Sequence, residues 1–132
     1  MSAIFKKLNL KDEKEIVVLN APDSFKPELA SLGGVKVVHD LAKSKEIHFV
    51  LAFVIKQTEV DAISREVAPK AKGDALIWFA YPKGTSKKYK CEFNRDNGWA
   101  VINGLGWQGV RMVAIDEDWS ALRFRRMEYS QK

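Results

Sequence analysis

The chain has 132 residues, 46% hydrophobic and 30% charged, with 22 Lys plus Arg against 17 Asp plus Glu and a net charge of +5. That length suits one domain with one core, and the composition excludes a disordered tail. The longest apolar stretch, Ile47 to Ile55, is broken by His48 and too short to cross a bilayer, which excludes a membrane span.

The N-terminal segment carries no secretory pattern, and the lone Cys91 fits a reducing compartment, so a cytoplasmic protein is expected. The positive balance permits an anionic partner, although both signs of charge are plentiful enough to describe a solvated surface. No repeat, linker or low-complexity tract divides the chain, and a single domain over residues 1–132 is expected.

Ile4, Phe5 and Leu8 are spaced for a short amphipathic helix ending near Asn9. Glu15 to Asn20 reads as a buried strand stopped by Ala21-Pro22. Asp23 or Ser24 can cap a short helix carrying Phe25, Leu29 and Leu32, with Gly33-Gly34 after its last turn. Val35 to Val38 is a second, shorter strand. Ile47 to Val54 follows as a strand apolar on both faces, suited to the middle of a covered sheet.

Thr58 is expected to cap the next helix, with Asp61 completing a variant capping box. Val60, Ile63 and Val67 form its buried stripe, and Pro69 and Gly73 bracket its end. Ala75 to Tyr81 is another two-sided strand, broken by Pro82. Residues 82–94 form a polar loop, and a third helix is expected from Arg95 to Asn103, closed by Gly104 and Gly106. Val110 to Ile115 and Ser120 to Met127 are strands whose link is too short for a parallel crossover, so they form an antiparallel hairpin.

This order gives an α/β fold of Rossmann-like, three-layer type: a mostly parallel sheet ending in an antiparallel hairpin. Only eight residues separate Val38 from Ile47, so the direction of the second strand stays open. The pattern resembles the class I methyltransferase fold, whose sheet ends in such a hairpin. It is similar to small bacterial proteins that look like shortened relatives of that fold. The residues carrying the resemblance are Val17 to Pro22, Phe49 to Val54, Leu76 to Lys83, Val113 to Asp116 and Trp119 to Phe124.

The resemblance implies S-adenosylmethionine held by a glycine-rich loop after the first strand. Here that position reads Asn20-Ala21-Pro22-Asp23-Ser24, without a glycine. Proline removes an amide donor and fixes φ, a poor way to build a cofactor cradle. Asp40 stands where such enzymes place an acidic residue for the ribose, but next to a shortened crossover. The fold therefore transfers and the activity does not. No cofactor is expected, and weak or absent binding of S-adenosylmethionine is the expectation.

Two stretches are candidates for ligand contact. Asn20, Asp23 and Ser24 lie at the carboxyl end of the first strand, where open α/β sheets bind ligands, although a turn and helix cap use the same residue types. The loop from Tyr81 to Lys90 combines four lysines with Thr85, Ser86, Tyr81, Tyr89 and Gly84. Lys83, Lys87 and Lys88 suit phosphate or carboxylate oxygens, and the tyrosines suit stacking. The loop lacks P-loop spacing, and a solvated basic loop has the same composition.

His39 and His48 have no cysteine set beside them, so no metal is expected; His48, inside a strand, reads as a hydrogen-bonded core residue. Lys88 and Lys90 beside Cys91 suit a lowered thiol pKa, but no partner makes it a nucleophile. Arg123 and Arg125 share a strand face, their stems expected to cover the sheet and their heads to reach water or carboxylates.

The leading expectation is a non-catalytic protein binding an anionic or aromatic small ligand or a protein partner. A divergent methyltransferase or other transferase is the alternative. Nucleic-acid binding through the lysines of residues 83–90 is a third reading, favoured by charge alone.

Overall fold

In the computed structural model, which describes residues 3–94 and 96–130, the apolar runs become six strands of one sheet. These are β1 (Glu15–Leu19), β2 (Lys36–Val38), β3 (Ile47–Phe53), β4 (Ala71–Pro82), β5 (Trp107–Ala114) and β6 (Trp119–Arg126). They lie in the order β2-β1-β3-β4-β6-β5. The first four pair with one another in parallel, whereas β6 is antiparallel to β4 and β5. The expected terminal hairpin is present, and Leu19 and Val50 sit on adjacent central strands. β2, left open by its short connection, is parallel to β1. A single 3-10 turn, Leu41–Lys43, replaces a crossover helix between β2 and β3.

Alternation along β1 and β3 divides the core between the two faces of the sheet. Ile16, Val18, Phe49, Leu51 and Phe53 face one side, covered by α1 (Ala3–Lys7) and α2 (Lys26–Ala30). Val17, Leu19, Val50 and Ala52 face the other, under α3 (Gln57–Val67) and α4 (Ala100–Gly104). The fully buried Trp78 fixes α1 to the sheet, because its indole N–H donates to the Leu8 carbonyl at 2.9 Å. A short α5 (Met127–Ser130) follows β6. Among the described residues, no helix is long and apolar enough to cross a membrane.

Several local expectations are corrected. Asp23 and Ser24 make no side-chain cap; Asp23 instead pairs with Lys26 at 3.0 Å in solvent. The start of α3 is tied by Glu59, not by Thr58 and Asp61: its carboxylate accepts from the Ile55 and Lys56 amides, both at 2.9 Å. A carboxylate one turn into the helix reaches back to orphan amides that a hydroxyl at Thr58, already inside the helix, cannot serve. Gly73 does not end that helix. It lies within β4 at φ 56, in an irregular stretch where the pairing jumps from Ile47–Ala71 to Phe49–Leu76.

That irregularity also turns His48 outward. It is exposed, 3.9 Å from Glu46, and is not a core residue. α4 starts at Ala100, later than expected, because Asn94 organises the preceding residues as a turn. Its side-chain oxygen accepts from the amides of Asp96 and Asn97, and Gly98 follows at φ 102, outside the helical region. Arg95, the expected first residue of that helix, lies outside the described residues.

Candidate functional site

Parallel strands β1, β3 and β4 end at one edge of the sheet, and the order reverses between β1 and β3, where open α/β sheets bind ligands. Asn20 occupies this switch point. It takes φ 58, the left-handed conformation usually left to glycine, and asparagine is among the few other residues that tolerate it. Its side-chain amide donates to the Phe53 carbonyl at 3.3 Å, spanning the ends of β1 and β3. Thus the tight turn that a glycine would supply is made without one, and the side chain that makes it lies across the crevice. Asp23 and Ser24 are exposed beyond it and are not drawn into the same hydrogen bond.

The neighbouring polar groups are also engaged by the chain itself. The His39 ring nitrogen Nδ1 lies 3.1 Å from the Val18 carbonyl and must carry the proton in that contact. Asp40 accepts from the Ala42 amide at 3.0 Å, capping the 3-10 turn. At the start of α3 the Gln57 amide donates to Glu92 at 2.9 Å, beside the two amides held by Glu59. A carboxylate or phosphate arriving there would meet amides already bonded to carboxylates. For S-adenosylmethionine to enter at the switch point, the Asn20 side chain would have to leave the Phe53 carbonyl.

The open space lies further along the same edge. A cleft of about 780 Å³ sits beneath the loop after β4. Tyr81 and Phe93 form its floor with ring centres 5.9 Å apart, and Trp99 backs Tyr81 at 5.8 Å. The Tyr81 hydroxyl is held on the Met112 sulfur at 3.2 Å. Lys83 and Lys90 stand on the lining, with Ser120 on β6 directly opposite Tyr81 in the sheet. The cleft therefore joins aromatic surface, two ammonium groups, small polar side chains and the Asp96 carboxylate.

The loop divides its other residues differently. Ser86 donates to Asp118 at 2.8 Å and accepts from the amides of Lys88 and Tyr89, so its hydroxyl is a fastening between loop and hairpin. Tyr89 packs on Trp119 at 4.9 Å. Thr85, Lys87 and Lys88 line a separate hollow together with Glu117 and Asp118. The candidate residues of the loop thus fall on two surfaces, with Tyr81, Lys83 and Ser86 on the cleft and Thr85, Lys87 and Lys88 outside it.

Reading the chain in order missed Phe93, Met112 and Ser120. Ser120 was findable, since pairing the hairpin onto β4 places it beside Tyr81; nothing local marks Phe93 or Met112. Cys91 also touches the cleft, but its thiol pKa is raised, first by burial and then by Glu92 and Glu59, contrary to the lowering that Lys88 and Lys90 suggested. Among the described residues, no group of three or more His, Cys, Asp or Glu could hold a metal ion.

A scan against protein-family models and a search of curated proteins each return no match. Solved structures do match. A SAM-dependent methyltransferase from Aquifex aeolicus aligns over 93% of this chain and 87% of its own, with TM-score 0.64 and 10% identity. PhzM, a pyocyanin biosynthetic protein, aligns over 94% of this chain with TM-score 0.60 and 10% identity, and this chain spans 54% of its length. The N-methyltransferase NodS from Bradyrhizobium japonicum WM9 gives TM-score 0.52 and 11% identity over 86% of this chain and 74% of its own. At such identities the likeness is one of fold. The chain has the methyltransferase-like α/β fold, in a six-stranded form whose sheet ends in the antiparallel hairpin.

Proposed function

We propose that this chain is a non-catalytic binding protein for a small ligand that has an aromatic or apolar body and an anionic group. The observation that carries the reading is the cleft itself: an aromatic floor of Tyr81 and Phe93 with Lys83 and Lys90 on the lining, at the ligand-binding edge of the sheet. The body of the ligand stacks on the rings while its charge meets the ammonium groups. Phenyl phosphate and benzyl alcohol, titrated into isotope-labelled protein and followed by NMR, test this. Phenyl phosphate should shift the amides of residues 81–94 and 120 at lower concentration than the uncharged probe. Shifts confined to other regions, or equal for both probes, would overturn it.

A second reading is a divergent S-adenosylmethionine-dependent methyltransferase, and the fold neighbours speak for this one more directly than for the first. The left-handed turn at Asn20 supports it as well, because the backbone already has the shape that a glycine loop provides. It requires the Asn20 side chain to leave the Phe53 carbonyl. Calorimetry with S-adenosylmethionine separates the two: binding in the low-micromolar range supports the methyltransferase, and silence at millimolar cofactor supports the ligand-binding protein.

A further inference from the structure

At the opposite end of the terminal hairpin lies a cluster of arginines that the cleft does not use. The chain holds 16 lysines but only six arginines, and four of those six, Arg111, Arg123, Arg125 and Arg126, are in β5 and β6. Arg126 turns to one side, over the Trp107 ring at 4.7 Å, and donates to the Gly73 carbonyl. The other three share the opposite face. Arg111 stands directly across from Arg123 in the ladder, and the irregularity after Gly109 keeps Gln108, across from Arg125, on that same face.

Like charges directly opposed on antiparallel strands repel, and among the described residues Asp74 is the carboxylate bonded to this group. Asp74 takes a two-pronged contact from Arg125 at 2.9 and 2.7 Å, leaving Arg123 a longer approach of 3.5 Å. The Arg123 side chain is only 15% exposed, and its Nε is buried with no hydrogen-bond acceptor among the described residues. Burial, with Arg125 and Arg111 nearby, disfavours its charged form, opposed by Asp74 alone. Arg111 is exposed and forms no ion pair among the described residues. Asp74 is the carboxylate in ion pairs with Arg123 and Arg125, with Asp12 and Glu13 beside it in one hollow and Asp96 beside Arg111 in another, so the guanidinium groups outnumber the carboxylate bonded to them.

We propose that this face is a phosphate-binding site, in which a phosphate group bridges Arg111 and Arg123 beside the Arg125–Asp74 pair. A phosphate group carries the opposite charge, and its oxygens can accept from two planar guanidinium groups at once, which a lysine pair could not arrange so well. The site is distinct from the ligand cleft, since Arg123 and Arg125 lie towards the far ends of the strands whose near ends meet Tyr81 and Pro82. The phosphate comes from a nucleic-acid strand or a small phosphorylated molecule, and the experiment tells these apart.

The test uses inorganic phosphate and the arginine side-chain Nε–H signals in NMR, with thermal melting alongside. Phosphate should shift the Arg123 signal and raise the melting temperature of the unmodified protein more than that of Arg111→Gln. Arg111→Gln should weaken phosphate binding by about tenfold, as expected when one charge-assisted hydrogen bond is removed, while being no less stable in chloride. Arg123→Lys, which keeps the charge without the fork, should also weaken it. A nucleoside monophosphate binding as tightly as a single-stranded RNA of several nucleotides marks a small-molecule site; tighter, steeply salt-dependent RNA binding marks a strand. An Arg123 signal unmoved by phosphate, or equal phosphate stabilisation of the parent and both variants, overturns the proposal.

Discussion

Ser86 and Asp118 are joined by a 2.8 Å hydrogen bond, although 32 residues separate them in the chain. The contact fastens the loop after β4 to the tip of the β5–β6 hairpin, and the Lys83 amide adds a second tie to the Asp118 carbonyl at 2.8 Å. Since the same hydroxyl accepts from the amides of Lys88 and Tyr89, it organises the loop that overhangs the cleft. Ser86→Ala should lower stability by about 0.5–1.5 kcal/mol, the usual net worth of such a bond. Faster hydrogen exchange at Lys88 and Tyr89, with little change in the central strands, is the expected signature.

Gly98 is the tightest point behind the cleft. A Cβ placed there would lie 2.5 Å from the Phe93 Cβ and 2.7 Å from the Gln57 Oε1, at φ 102. The Gln57 amide group is already fixed between Gly98 and Asp61, so it has little room to move aside. Gly98→Ala should destabilise by more than about 2 kcal/mol through strain and overpacking together. For a chain of this length that is a fall of roughly 5–15 °C in Tm, readable by circular dichroism.

The sheet was legible because two-sided apolar strands can only sit in the middle and a four-residue link can only make a hairpin. Local detail was hidden wherever a different side chain, near as Glu59 is or distant as Glu92 is, took the role that the expected residue would have had. Glu59 and Glu92 serve the amides before and at the start of α3, so Thr58 is not needed as a cap. The lysine loop looked unbalanced until Glu92, yet the fold sets Glu117 and Asp118 beside Lys87 and Lys88. Sequence neighbours could not show that balance, because only the hairpin pairing on β4 creates it. At Asn20, the absence of glycine was visible, but not that asparagine would adopt the glycine-like φ.

Asp74 gives a pH dependence of known sign. Its pKa is lowered, chiefly by the Arg125 hydrogen bond, and burial opposes the shift. A lowered carboxyl pKa means the folded state favours the ionised form. Its stabilisation is therefore complete above the unfolded value near 3.8 and is lost as pH falls through the folded value. The advantage of the parent over Asp74→Asn in urea midpoint should be small, given the exposure of the pair, and should shrink as pH falls below the unfolded value near 3.8. A constant difference as pH falls would separate the effect from ionisation.

Asn20 can be tested by a pair of changes that act differently on conformation and on hydrogen bonding. Asn20→Ala loses the Phe53 hydrogen bond and puts an unsuited residue at φ 58, so a loss of about 1–2 kcal/mol is expected. Asn20→Gly loses the same bond but relieves the φ, and should stay closer to the parent in chemical denaturation. If the methyltransferase reading holds, Asn20→Gly should also bind S-adenosylmethionine more tightly than the parent, having cleared the crevice.

The two groups of lysines allow the cleft and the outer hollow to be weighed against each other. Lys83 lines the cleft with Tyr81, whereas Lys87 and Lys88 share their hollow with Glu117 and Asp118. An anionic ligand in the cleft meets Lys83 and Lys90 against the Asp96 carboxylate; one in the hollow must displace the attraction between Lys87 and Lys88 and the two acids. Lys83→Ala should therefore weaken phenyl phosphate binding by about five- to tenfold, the usual effect of removing one ammonium that hydrogen-bonds an anion. Lys87→Ala with Lys88→Ala should change it less, and should shift stability by no more than about 0.5 kcal/mol because both side chains are exposed. Fluorescence titration of the two variants against the parent gives the comparison. A larger drop in affinity in the double variant than in Lys83→Ala would move the anion site to the outer hollow, and a large fall in its melting temperature would show that these lysines hold the hairpin tip in place.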